Sequence, residues 1–385
     1  MDGQAQRPSR SGATELLRDL IQAASPNPPG DERAAAAVIR GYLAGIPGIE
    51  IEDAGVHPAR PMIVARLRGR REGPALLLNG HMDTVPAGGR WTRDPFGAEI
   101  ADGRMYGRGA SDMKSGLAGL VVAFARLSEM RDELAGTIEL HAVPDEEPGG
   151  HLGTEALLRA GRIAGDFAVV AEPTGLSVFR AQKGNVFADI TVTGRSAHGS
   201  MPSHGLNAVS LAARLVTDLE DRLGARLAER THPLVGPRTL NVGTIAGGTA
   251  TNVVPDRCVL GVDRRVLPGE SPQEALAELA AFVGDRGAVA ATHLGAPFET
   301  AEDHPLVVAA QAAVASVMGV PRPCGGLVGS SDARFYADGA GIPTILLGPG
   351  SMDQAHIADE SVPLDEVEAS VPVFIDLARR LLARR

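Results

Sequence analysis

The sequence predicts an α/β protein, with a mixed, mostly parallel sheet flanked by helices and an inserted ferredoxin-like α+β domain. Three observations carry this. From MIVARL to FAVVAE, β-type runs alternate with helical ones, the grammar of strand–helix–strand crossovers. Past Lys183 the order becomes βαββαβ, which fits a split βαβ sandwich. The first pattern then resumes, so the two flanks of this block form one domain. The boundaries are expected at 1–181 and 295–385 for that domain, and at 182–294 for the insertion.

The elements follow in order. Residues 1–11 read as disordered, and an amphipathic helix follows at about 12–24. The cluster SPNPPGDE reads as a turn, and a second helix covers about 31–45. Then come MIVARL, ALLLNG, a helix near 114–129, TIELHAV, a helix near 152–160 and FAVVAE. Inside the insertion, NVFADITVTG is a strand with alternating faces and LNAVSLAARLVTDLEDRL a helix. TLNVGTIAGG and RCVLGVDRRV are strands, SPQEALAELAAFVG is a helix and AVAATHLG a strand. A helix near 304–318 and the strand TILLGPG return to the first pattern.

Composition narrows the function classes. A chain of 385 residues favours two domains over one. Hydrophobic residues reach 44% but aromatics only 3%, so Leu, Val, Ile and Ala must fill the cores. The formal charge of −10 argues against nonspecific nucleic-acid binding. Cys258 and Cys324 form no CxxC and read as small buried hydrophobes, which sets aside a disulfide framework and thiolate zinc sites. The N-terminus carries no apolar signal core, and no run approaches a membrane span. A cytoplasmic protein with no membrane partner is expected. The basic tail of Arg379, Arg380, Arg384 and Arg385 suits the last turns of a C-terminal helix, where cations complement the dipole.

Five residues with metal-ligating side chains end apolar runs or sit in Gly/Pro-rich turns: His81, Asp112, Glu147, Glu172 and His356. A strand that stops on such a residue presents it at the sheet's carboxyl edge, where α/β proteins place their chemistry. Two histidines with three carboxylates suit a pair of borderline divalent ions such as Zn²⁺, with one carboxylate bridging. In GHMDTVP, Asp83 lies two residues from His81 and shares its face if the chain stays extended, where its carboxylate can hold the second ring nitrogen. Asp112 in GRGASDMKSG would also serve as an ordinary helix cap. PDEEPGG offers adjacent acids, Glu146 and Glu147, which suits one for a metal and the other for a proton. Each feature alone has a plain structural explanation; their joint order and strand-end placement favour a two-metal hydrolase.

GHMDTVP, GRGASDMKSG, PDEEPGG, AEPT, GRSAHGSMP, SDARFYADGAGIPT and AHIADE together resemble the zinc deacylase and carboxypeptidase family. It includes acetylornithine deacetylase, succinyl-diaminopimelate desuccinylase, aminoacylase and bacterial glutamate carboxypeptidase. The resemblance runs from about residue 13 to the C-terminus. It implies a zinc-peptidase-like catalytic domain with the insertion as a lid and dimerisation domain. Asp112 would bridge two metals, with His81 and Glu172 completing one site and Glu147 and His356 the other. Glu146 would be the general acid/base, and Asp83 would support His81.

In the insertion, His198 would reach a partner subunit's active site and donate to the oxyanion, while His204 reads as a surface residue. Arg265, in an Asp-x-Arg strand with Asp263, would grip a substrate carboxylate, and Asn252 would also touch substrate. One departure stands out: DMKSG places Ser115 where family members commonly have glycine, which bears on pocket shape.

The expected reaction is hydrolysis of the amide bond of a small anionic N-acyl amino acid by a homodimer holding two zinc ions, with cobalt or manganese as alternatives. Lid closure would complete the site. A dipeptidase or carboxypeptidase acting on small peptides is the alternative. A catalytically silent binder is a third reading, weakened because all seven metal and catalytic positions of the first domain are present.

Overall fold

The computed structural model describes residues 12–382. The disordered stretch expected at 1–11, and Arg384 and Arg385 of the basic tail, lie outside the described residues. Two compact units divide the chain: one takes Met1–Arg180, Thr300–Cys324 and Ser331–Arg385, the other Ala181–Glu299 and Gly325–Ser330.

The first unit is built on a mixed sheet. Its strands run Ile49–Asp53, Ile63–Arg68, Ala135–Val143, Arg71–His81, Phe167–Val170 and Thr344–Leu346 in spatial order. The first two pairings are antiparallel; the remaining three are parallel. In the central strand Arg71–His81, residues 76–81 are buried throughout, as a strand covered on both faces must be. Its alternation sorts the site from the core. Gly80 faces Leu117, whereas Asn79 on the opposite face reaches Thr154 Oγ1 and Tyr336 Oη. Because the parallel strands share a direction, His81, Glu147 and Glu172 all emerge at one edge.

Helices Ala13–Gln22, Ser115–Glu129, Pro305–Met318 and Leu364–Leu382 pack together as one layer. In Ala13–Gln22 the apolar residues Leu16, Leu17, Leu20 and Ile21 recur at helical spacing and are buried. Ser115–Glu129 is buried nearly all round, and its Gly and Ala residues let neighbours approach closely. Helix Leu364–Leu382 crosses it at Gly119, where an added Cβ would lie 2.2 Å from Ser370 Oγ and 3.2 Å from the Phe374 ring. A small antiparallel sheet joins Ser361–Pro363, Arg104–Tyr106 and Glu99–Ala101; the sequence reading did not foresee these three-residue strands.

The second unit has four antiparallel strands in the order Thr239–Gly247, Arg257–Val266, Gly184–Thr193, Ala288–Gly295. With helices from Ala208–Asp218 onward and Pro272–Val283, this is the βαββαβ order of a ferredoxin-like sandwich. Val186, Ala188, Ile190 and Val192 point inward to meet Ala212, Leu215 and Leu279. Asn207 and Ser271 cap the two helices with their side chains, receiving the amides of Ser210 and Glu274. Cys258 is buried in this core, as expected, while Cys324 in the first unit is only half-buried and accepts a hydrogen bond from Gln311. Among the described residues no helix is long and apolar enough to cross a membrane.

Gly119→Val should destabilise the protein by about 1–3 kcal/mol by overpacking the helix crossing, although valine is a better helix former than glycine. Urea unfolding of the full chain measures this; a stabilised variant would show that the crossing has room to spare.

Candidate metal centre

The five residues with metal-ligating side chains reach one place by different routes. His81 is the last residue of its strand, and Glu147 and Glu172 follow the strands Ala135–Val143 and Phe167–Val170. Asp112 sits in the turn before helix Ser115–Glu129, and His356 in the loop after Thr344–Leu346. Donor atoms of His81, Asp112 and Glu172 lie within 4.8 Å of one another, and so do those of Asp112, Glu147 and His356.

Asp112 belongs to both groups. Its Oδ1 is 3.3 Å from His81 Nε2, and its Oδ2 is 3.4 Å from His356 Nε2. Glu147 Oε2 is 3.1 Å from the same His356 nitrogen. These spacings fit a metal: donors at tetrahedral angles about 2.1 Å from an ion stand roughly 3.4 Å apart. The mixed imidazole and carboxylate set suits zinc and its neighbours among the divalent ions.

The ring of His81 is held through its other nitrogen. Nδ1 is 2.8 Å from the backbone carbonyl of Asp83, which can only accept, so Nδ1 carries a proton and Nε2 is the nitrogen turned towards Asp112. The sequence reading assigned this contact to the Asp83 carboxylate, which stands farther away at 3.6 Å from Nδ1. Its oxygens instead receive the amides of Glu146 at 3.1 Å and Glu147 at 3.3 Å, and Asn27 Nδ2 at 2.9 Å. The regular strand ends at His81, and the Asp83 carboxylate is taken up by these three donors.

Glu360, fully buried, fixes the Asp112 turn. Its Oε1 accepts from the amides of Ser111 at 2.8 Å and Asp112 at 3.0 Å, and its Oε2 from Gly109 N at 3.0 Å and Arg108 Nη1 at 2.6 Å. One carboxylate therefore ties the turn carrying Asp112 to the segment four residues beyond His356. His356 itself has φ +64°, a left-handed conformation that costs about 1–3 kcal/mol and persists only where the surroundings impose it.

Residues 77–380 match the model of peptidase family M20/M25/M40. The chain belongs to that family. Acetylornithine deacetylase of Proteus mirabilis is 35% identical over 305 residues, covering 76% of each chain. Succinyl-diaminopimelate desuccinylase of Gluconacetobacter diazotrophicus is 34% identical, covering 97% of this chain and 98% of that one. Among solved structures, an M20 metallo-carboxypeptidase from Sulfolobus solfataricus shares the fold at a TM-score of 0.78 and 18% identity, covering 96% of this chain and 99% of that one. A dinuclear metal-binding M20 peptidase from Bacillus subtilis does so at 0.72 and 18%, covering 96% and 97%. This M20 chain is a hydrolase with a metal-binding site.

The centre of the M20 chain is strongly acidic. Burial pushes the Glu172 carboxyl up to about 8, with the charge of Asp112 adding to it. Burial also raises Glu146 well above the usual range, against the opposing pull of His81 and with help from Asp332 and Glu172. Hydrogen bonds to Asp112 and Glu147 lift His356 to about 10. Asp112 goes the other way: burial opposes it, but hydrogen bonds from His356 and His81 hold it well below the carboxylate range. So many carboxylates around two imidazoles make a cluster complementary to positive charge.

Ser115 is fully buried and turns its hydroxyl back towards the Ser111 carbonyl at 3.5 Å. The tight position is its neighbour Gly116, where a Cβ would fall 2.0 Å from the Ala171 carbonyl, next to Glu172.

His198, Asn252 and Arg265 belong to the second unit. His198 is exposed; its Nδ1 accepts the Ser200 amide at 3.2 Å, so in the neutral ring Nε2 bears the hydrogen. The Gly199 amide donates to the Asn252 carbonyl at 2.7 Å, which joins the two turns. Arg265 gives Nε and Nη2 to Asp263 Oδ2 at 3.2 and 2.9 Å and lies over the Phe187 ring. His204 is exposed.

Sequence reasoning missed Glu360, Asp145, Arg60 and Asn27 as parts of this region. Glu360 and Asp145 stand inside the motifs AHIADE and PDEE, which was the available signal. Asn27 lies in a cluster read only as a turn, and nothing local marks Arg60.

Glu360→Ala should cost about 3–5 kcal/mol, because it strands the buried Arg108 cation as well as three amides. Thermal unfolding measures it, and Arg108→Met in the same chain should recover part of the loss. Metal affinity should fall by roughly 10–100-fold, as when partners of ligands are removed elsewhere.

Proposed function

We propose that the chain hydrolyses the amide bond of an N-acyl amino acid. The observation that carries this reading is the sharing of Asp112 between two donor groups, with Glu146 adjacent to the ligand Glu147. His81, Asp112 and Glu172 would hold one divalent ion, and Asp112, Glu147 and His356 the other, zinc being the best match and cobalt or manganese alternatives. The ions would supply Lewis acidity, lowering the pKa of a water and polarising the substrate carbonyl.

Glu146 takes a proton from the attacking water as the new C–O bond forms, and delivers it to the amine nitrogen as the C–N bond breaks. A carboxylate and a free amine are the products. Asp83, by receiving the amides of Glu146 and Glu147, keeps base and ligand in register.

From the second unit, His198 is assigned to the oxyanion of the other protomer's substrate, for which an Nε2–H donor is the required tautomer. Arg265 and Asn252 are assigned to the substrate, Arg265 to its carboxylate. The edge strand Thr239–Gly247, paired on one side within the four-stranded sheet, supports a homodimer formed through this unit. The substrate class draws on relatives named as a deacetylase and a desuccinylase of amino acids. A cytoplasmic location fits the same reading.

Glu146→Ala should lower kcat by roughly 10²–10⁴-fold while keeping both metals. Elemental analysis beside the kinetics checks this, and loss of both ions in the variant would refute the assigned role. Zinc- or cobalt-loaded protein should release free amine from one class in a panel of N-acetyl, N-succinyl and dipeptide substrates, and a chelator should abolish it. Cleavage confined to the dipeptides would move the assignment to a peptidase. No cleavage anywhere, with two metals bound, would leave the silent binder.

A further inference from the structure

The cluster SPNPPGDE, which reads from the sequence as a turn between two helices, is bound into the loops of the metal centre. Ser25 Oγ donates to the Met82 carbonyl at 2.6 Å. The Asn27 amide donates to the Thr84 carbonyl at 2.8 Å, and the Thr84 amide to the Ser25 carbonyl at 3.1 Å. The segment thus runs beside the stretch that carries Asp83. From there Asn27 Nδ2 reaches two carboxylates, Asp83 Oδ2 at 2.9 Å and Asp145 Oδ1 at 3.2 Å.

Arg60 completes the arrangement. Its Nη2 donates to Asp145 Oδ1 at 2.9 Å and its Nε to Glu32 Oε2 at 2.6 Å. All three charged side chains are buried. Gly30, at φ +79°, lets the turn wrap the guanidinium, since a Cβ there would collide with it.

Asp145 directly precedes Glu146 and has φ +69°, which a non-glycine residue keeps only when its contacts dictate it. They do so here. Arg60 and Asn27 hold Oδ1, the Leu152 amide donates to Oδ2 at 3.0 Å, and the Gly150 amide donates to the Asp145 carbonyl at 2.6 Å. Buried ion networks add little stability over apolar residues of similar volume, so fold stability alone is a weak reason for three buried charges. Fixing the backbone ahead of Glu146 is a use that the geometry supplies.

We propose that Arg60 and Asn27 are positioning residues which, through Asp145 and Asp83, fix the backbone at Glu146 and Glu147 and hence the direction of the Glu146 carboxylate. This rests on the acid/base role proposed for Glu146. Sub-ångström control of that group bears on rate more than on substrate affinity, because misplacement by about 1 Å can cost some 10²-fold.

Asn27→Ala, Arg60→Met and Arg60→Lys in the full-length chain test it, with metal content, amide hydrogen exchange over residues 143–152, and steady-state kinetics as readouts. In Asn27→Ala, exchange over 143–152 should rise about tenfold or more while the four-stranded unit keeps its protection. Its kcat should fall about 10–100-fold, with KM within about threefold and both metals retained. Arg60→Lys should recover part of the kcat lost in Arg60→Met, restoring the charge without the two-pronged fork.

Should Arg60→Met fail to fold, Asn27→Ala decides, since it strands no buried cation. Unchanged exchange, faster exchange with unchanged kcat, or metal lost in step with kcat each overturns the proposal. If the wild type cleaves no amide at all, the role of Glu146 falls on that result, and exchange alone still decides whether the turn braces the backbone.

Discussion

Asp112 offers one carboxylate oxygen to each of two imidazoles, and much of the first unit can be understood as the means of keeping it there. Asp112 is buried and stands beside Glu147 and Glu172, so its neighbours repel it and water screens the repulsion only weakly. A rigid frame, compensating cations and the raised pKa of Glu172 together make such a cluster tolerable. Two divalent ions would supply the charge in the proposed mechanism; the fold supplies the frame.

The frame relies on backbone amides received by buried carboxylates. Glu360 collects three amides around Asp112, Asp83 collects those of Glu146 and Glu147, and Asp145 collects that of Leu152. Each such carboxylate fixes the chain beside a candidate site residue. Charge-assisted hydrogen bonds of this kind are stronger than neutral ones and tolerate little displacement. The remaining compensation comes from buried guanidinium groups, Arg108 beside Glu360 and Arg60 between Glu32 and Asp145.

The sheet makes this economical in sequence. Three neighbouring strands that share a direction bring His81, Glu147 and Glu172 to one edge with no long-range instruction beyond strand pairing. Helix Ser115–Glu129 then brings up Asp112, and the absence of a side chain at Gly116 lets it lie against the Ala171 carbonyl. Asp112 and His356 come from turns, where positive-φ and other irregular backbone can be accommodated.

What the sequence determined by itself was the set of elements and the residues that end them. Apolar runs closing on His81, Glu147 and Glu172, and the βαββαβ order of the insertion, are local patterns. Local patterns are set by the 2.0- and 3.6-residue periods, turn chemistry and strand-end polarity, all readable along the chain. Tertiary structure alone decided who holds whom. The ring of His81 took the carbonyl of Asp83 instead of its carboxylate, whose oxygens receive Asn27 and the amides of Glu146 and Glu147. Glu360, Arg60, Asn27 and Asp145 gained their partners from segments far apart in sequence. A hydrogen bond is fixed by distance and angle in space, and separation along the chain carries no information about either until the strands have paired and the helices have packed.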